Sequence, residues 1–142
     1  MGEVKVRDIM STTLVTLDRV ESVDLAEKAM TYGRIRHLPV VEGERLVGLV
    51  THRDILRAQV SSLVALSPEE RTEIKTSVPV REIMRREVRT VTPDTPVLEA
   101  ARVLKENKYG CLPVVEGDKL VGIITEADFI DLVINALERE QA

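Results

Sequence analysis

A single cysteine, Cys111, stands alone in 142 residues, alongside two histidines, one phenylalanine, two tyrosines and no tryptophan. One thiol closes no internal disulfide, and Cys111 with His37 and His52 gives no zinc-type spacing. No apolar run reaches the roughly 20 residues of a membrane-spanning helix. The opening residues, MGEVKVRDIM, lack the apolar stretch of a signal peptide. Excess positive charge is also missing: 20 basic against 24 acidic residues give a net charge of −4. That is not the basic footprint of a nucleic-acid binder. The short basic run around Arg85, Arg86 and Arg89 reads as a solvated face. These absences set the expectation of a cytoplasmic protein that neither inserts in a membrane nor binds nucleic acid.

With aromatics at 2% and hydrophobic residues at 44%, the core must be built from aliphatic side chains. Such a chain suffices for one domain or for two small halves. The chain repeats itself. Val6–Asp54 aligns without a gap on Val80–Asp128 at an offset of 74, with 18 of 49 positions identical. The identities include Val6/Val80, Met10/Met84, the run Leu38–Gly43 with its copy, Leu46–Gly48 with its copy, Thr51/Thr125 and Asp54/Asp128. Two copies are too few for a solenoid and imply two similar halves.

Each half has the same expected order, β-α-β-β-α, an α+β unit. A short helical turn (Val6–Met10; Val80–Met84) precedes a brief strand (Leu14–Leu17; Val88–Val91). A helix follows over Ser22–Tyr32 and over Pro96–Asn107, with Ser22 as N-cap and Pro96 in the first turn. Val23, Ala26 and Met30 recur at helical spacing, as do Val97, Ala100, Ala101 and Leu104. Two apolar runs joined through Gly43 or Gly117 then read as a hairpin. Pro39 and Pro113 near the start of the first run mark a stretch without a ladder partner. A helix begins at Thr51 and at Thr125. Between the halves, Ser67-Pro68-Glu69-Glu70 starts another helix, and Val60, Leu63, Val64 and Leu66 read as packing. The domain expectation is a first repeat over residues 1–60, a helical connection over 61–77 and a second repeat over 78–142.

The Thr-x-x-Asp endings carry two readings. Thr as N-cap with an acid three residues on is a capping box, needing no ligand. The same geometry also suits a ribose phosphate. A helix start after a strand offers free N–H groups and a positive dipole end, and a carboxylate there accepts from a vicinal diol, as in other nucleotide sites.

The chain resembles a tandem pair of CBS domains, the cystathionine-β-synthase-type regulatory pair called a Bateman module, and is expected to be a stand-alone one. The residues carrying the resemblance are Val6–Met10, His37–Val41 and Gly48–Asp54, with Val80–Met84, Cys111–Val115 and Gly122–Asp128 as second copies. It implies two CBS repeats packed about a pseudo-twofold axis and a sensor of adenosine-containing ligands: AMP, ADP, ATP or S-adenosylmethionine. It implies clefts between the repeats, no required cofactor, a homodimer, and an effector enzyme or transporter as partner. By position, one cleft would join Thr125 and Asp128 to Met10, Val15, Ile35, Arg36 and His37. The other would join Thr51 and Asp54 to Met84, Arg89, Tyr109, Gly110 and Cys111, with Tyr109 stacking on a base.

The bland readings stand beside these. His52 reads as solvated, Cys111 as a small buried hydrophobe, and Met10 and Met84 as core filling or cleft lining. A rival function is a dimeric interaction scaffold with no bound nucleotide. An enzyme is not expected, since the chain has no Gly-rich phosphate loop, nucleophilic triad order or carboxylate cluster for a metal.

Overall fold

The duplicated valine-rich runs pair as hairpins in a computed structural model of the chain, which describes residues 3–61, 67–107 and 110–141. In chain order the elements are α1 (Val6–Ile9), β1 (Leu17–Asp18), α2 (Val23–Gly33), β2 (His37–Glu42), β3 (Arg45–Thr51), α3 (His52–Ser61), α4 (Pro68–Ser77), a 3-10 turn (Val80–Glu82), α5 (Val97–Glu106), β4 (Cys111–Glu116), β5 (Lys119–Thr125) and α6 (Glu126–Gln141). They form two units. One spans residues 15–88; the other combines residues 1–14 with 89–142.

The partition cuts across the repeat. The opening turn of each copy packs in the unit that holds the hairpin of the other copy. Arg85, just after the 3-10 turn, bridges Leu49 of β3 through both backbone bonds, at 2.8 and 3.0 Å. Ser11, its positional counterpart, bridges Ile123 of β5 in the same way, at 2.9 and 3.0 Å. Each core reflects this exchange. Val80, fully buried, joins Leu17, Val23, Ala26, Met30, Leu38, Val40, Val50 and Ile55. Val6, also fully buried, joins Val91, Ala100, Leu104, Leu112, Val114 and Ile124. In the second unit Arg7 of α1 pairs with Asp94 ahead of α5, an exposed ion pair that raises the guanidinium pKa and lowers that of the carboxyl.

The hairpins owe their shape to glycine. Gly43 and Gly117 open the two-residue turns at φ +63° and +62°, which side-chain-bearing residues rarely adopt. Both hairpins slip register by one residue, between Val40 and Val41 and between Val114 and Val115. The slip leaves Val47 and Val121 as extra bulge residues. Pro39 and Pro113 lie inside the strands, opposite Leu49 and Ile123. Those partners turn their backbone groups toward Arg85 and Ser11, so the missing proline N–H breaks no hairpin bond.

Ser22 caps α2 by accepting from the Leu25 N–H at 3.1 Å. Pro96 sits at the N-cap of α5, one position ahead of its expected place. Ser67 caps α4: its hydroxyl accepts from the Glu70 N–H at 3.1 Å and donates to the Glu70 carboxylate at 3.2 Å. Val60 falls in α3, but its side chain and Leu63, Val64 and Leu66 lie outside the described residues. The brief first strands are shorter than their apolar runs. β1 holds only Leu17 and Asp18, parallel to Val40 and Val41, and in the second copy only Val91 bridges Val114. Val15 is half exposed and Thr16 exposed, so the run before Leu17 has no buried face to hold it in a ladder.

Candidate functional site

Each Thr-x-x-Asp sits where a strand of its unit runs directly into a helix. In the first, Thr51 ends β3 and Asp54 occupies the first turn of α3. The Asp54 Oδ2 accepts from the Thr51 N–H and from Thr51 Oγ1, each at 2.9 Å. The Asp54 N–H returns a bond to Thr51 Oγ1 at 3.2 Å. This is the reciprocal capping box expected from the spacing. Thr51 and Asp54 are the buried polar residues of the described chain, at 5% and 6% exposure. A buried carboxylate requires compensation. Beyond the cap it receives Arg85 Nη2 at 3.3 Å from Oδ1 and Arg57 Nη1 at 3.9 Å.

In the second, Thr125 ends β5 and the Asp128 Oδ2 accepts from the Thr125 N–H at 2.8 Å. The hydroxyl contact stretches to 3.5 Å. Thr125 and Asp128 are only half buried, and no cation among the described residues pairs with Asp128.

Met84 and Met10 lie beside these strands, each in the unit of its Thr and Asp. A Cβ placed on Gly48 would lie 2.5 Å from Met84 Sδ and 2.9 Å from the Arg85 carbonyl. One on Gly122 would lie 2.7 Å from Met10 Sδ and 3.1 Å from the Ser11 carbonyl. The repeated glycine therefore lets the exchanged turn approach the strand. Both methionines are half buried and pack on their cores.

The strand-start residues divide between the two units. His37 stands opposite Thr51 in the β2–β3 register, and the His52 N–H donates to the Arg36 carbonyl at 2.9 Å. Cys111 stands opposite Thr125 in the β4–β5 register. A hairpin necessarily sets the first residue of one strand beside the last residue of the next. Val15, Ile35, Arg36, His37, Thr51, Asp54 and Met84 thus share the unit of residues 15–88, whereas Met10, Arg89, Gly110, Cys111, Thr125 and Asp128 share the other. Val15, Arg36 and Arg89 are exposed, Ile35 and His37 half buried. Gly110 adopts φ +71° just before β4. Tyr109 lies outside the described residues.

Cys111 is fully buried, and burial pushes its thiol pKa up to about 12. Sequence reasoning missed Arg85 and Arg57. The only signal was the failure of the repeat at positions 11 and 85, where Ser faces Arg, and at 57 and 131, where Arg faces Asp. No helix among the described residues is long and apolar enough to cross a membrane.

The CBS domain family model matches residues 6–61 and 80–135. A CBS domain-containing protein of Dictyostelium discoideum is 33% identical over 138 residues, covering 96% of this chain and 95% of its own length. The A-adding tRNA nucleotidyltransferase of Aquifex aeolicus is also 33% identical over 96% of this chain, which spans only 15% of that enzyme. Among solved structures, a Vibrio cholerae protein assigned to acetoin utilization (AcuB) superposes with a TM-score of 0.86 at 37% identity, each chain covered in full. The CBS domain pair of protein MJ0100, in complex with 5'-methylthioadenosine and S-adenosyl-L-methionine, gives 0.78 at 30% identity over 95% of this chain and 99% of that one. CBSX2 in complex with AMP gives 0.78 at 26% identity over 93% and 97%. The chain belongs to the CBS domain family and carries two CBS domains in tandem.

Proposed function

We propose that the chain is a regulatory module that binds adenosine-containing ligands at its two Thr-x-x-Asp helix starts and signals their presence to a partner protein. The observation that carries this reading is the duplication of that helix start at the strand end of each unit. The helix N-terminus attracts phosphate and the carboxylate suits a ribose diol. Two relatives of the same fold, solved with AMP and with methylthioadenosine and S-adenosylmethionine, support the ligand class.

The residues proposed to meet ligand beside Thr51, Asp54, Thr125 and Asp128 are Met10, Val15, Ile35, Arg36, His37, Met84, Arg89, Tyr109, Gly110 and Cys111. A cytoplasmic location, an effector enzyme or transporter and a homodimer complete the proposal. The exposed stripe Ile130, Val133, Ile134 and Leu137 along α6 favours self-association, because it repeats at the spacing of one helix face.

Calorimetric titration of AMP, ATP and S-adenosylmethionine tests the reading. The wild type binds at least one of them, and Asp128→Ala weakens binding at its own site by about tenfold or more, the worth of hydrogen bonds to a charged acceptor. Absence of binding by the wild type to every adenosyl ligand would return the chain to the scaffold alternative.

A further inference from the structure

The two Thr-x-x-Asp starts differ in charge. Asp54 is engaged on both oxygens: Oδ2 accepts twice from Thr51, and Oδ1 faces Arg85 Nη2 at 3.3 Å, with Arg57 Nη1 farther off at ion-pair distance, 3.9 Å. A carboxylate offers about four acceptor positions; Thr51 takes both on Oδ2 and Arg85 stands before Oδ1, where a diol would have to bind. The Arg85 backbone is pinned to Leu49 on both sides, which fixes the root of that guanidinium beside Asp54. Among the described residues Asp128 makes its capping contacts alone, the second of them long. The offset of 74 accounts for the contrast. Arg85 is replaced by Ser11, Arg57 by Asp131, Arg36 by Gly110 and Arg53 by Ala127. At these four positions the unit of Asp54 carries arginine and the unit of Asp128 does not; the latter has Arg89 where the former has Val15.

We infer that Arg85 is a specificity-determining residue that restricts the Thr51–Asp54 site to adenosyl ligands carrying a phosphate, while the Thr125–Asp128 site takes adenosyl ligands with or without one. The inference rests on the ligand-sensing reading of these sites. A ribose diol reaches Asp54 only by displacing Arg85. A neutral nucleoside then breaks the Arg85–Asp54 ion pair and brings no charge in its place, which is unfavourable in a partly buried position. A phosphate re-pairs it, with the two parallel N–H bonds that arginine makes to such oxygens. In the other unit the positional counterpart of Arg85 is Ser11, and among the described residues no ion pair at Asp128 has to break.

Titrations of AMP and adenosine into Asp128→Ala, which leaves the Asp54 site, provide the test. AMP is expected to bind at least about tenfold tighter than adenosine. Adding Arg85→Ser strengthens adenosine, weakens AMP and brings the two affinities close together. Arg85→Gln, which keeps the length and loses the charge, gives the same convergence, so the result does not depend on one variant folding. Arg85→Lys keeps the preference for AMP. A ratio of affinities unmoved by both neutral replacements overturns the inference. So does an Asp128→Ala protein that binds neither ligand, with Arg85 present or replaced, while Asp54→Ala still binds: the sensor reading then survives and the role of Arg85 does not. If no variant and no wild-type protein binds either ligand, the sensor reading fails and the inference with it.

Discussion

Cys111 shows how burial governs a residue's chemistry. Its thiol is fully enclosed at the start of β4, and its pKa of about 12 leaves almost no thiolate at neutral pH. Iodoacetamide at pH 8 should therefore alkylate the folded protein on the order of a thousandfold more slowly than the unfolded chain. Mass spectrometry with and without denaturant reads the difference, and equal rates would refute the enclosure. The hydrophobic reading of Cys111 was legible because an isolated thiol beside an apolar run has no chemistry to perform. The capping boxes were legible for a local reason: Thr51 and Asp54 are three residues apart, and so are Thr125 and Asp128. The Arg85–Asp54 pair was not, because 31 positions of chain separate its members and no periodicity links a turn to a distant helix.

Among the elements, the hairpins were the most readable and the first strands the least. The Gly-centred turns between valine runs fix β2–β3 and β4–β5 almost residue by residue. Leu14–Leu17 looked like a strand, yet only Leu17 of that run pairs, because the half-buried pattern a ladder needs is absent before it. Gly48 and Gly122 read as parts of an apolar run, whereas their place in the fold is to admit the Met84 and Met10 turns. Gly48→Ala should destabilise by about 1–3 kcal/mol, the usual range for overpacking. Gly122→Ala should cost less, since its added methyl meets the Ser11 carbonyl at 3.1 Å while that of Gly48 meets the Arg85 carbonyl at 2.9 Å. A thioether end can swing aside; a carbonyl held in a two-way bridge cannot. Urea midpoints of the two variants rank them, and the reverse order would contradict this packing.

At the scale of the whole molecule, the repeat was plain in the sequence and the division into units was not. Sequence similarity records which segments share ancestry. It does not record which segments share a core, and here the two differ by the exchange of the opening turns. Val6 belongs to the core of Leu112 and Ile124, Val80 to that of Leu38 and Val50. A chain beginning at Val15 should therefore lose amide protection over Cys111–Thr125, its distal hairpin, while His37–Thr51 stays protected. Hydrogen exchange resolved by peptide measures this, and loss confined to the nearer hairpin would reverse the assignment. The exchange also bears on ancestry and self-assembly. A protein with one such repeat would have a hairpin lacking its turn and a turn lacking its hairpin. Two identical copies would complete each other reciprocally, so the solitary half is by construction a seeker of its twin, and joining two in one polypeptide turns that encounter from a meeting of molecules into an event within a single chain.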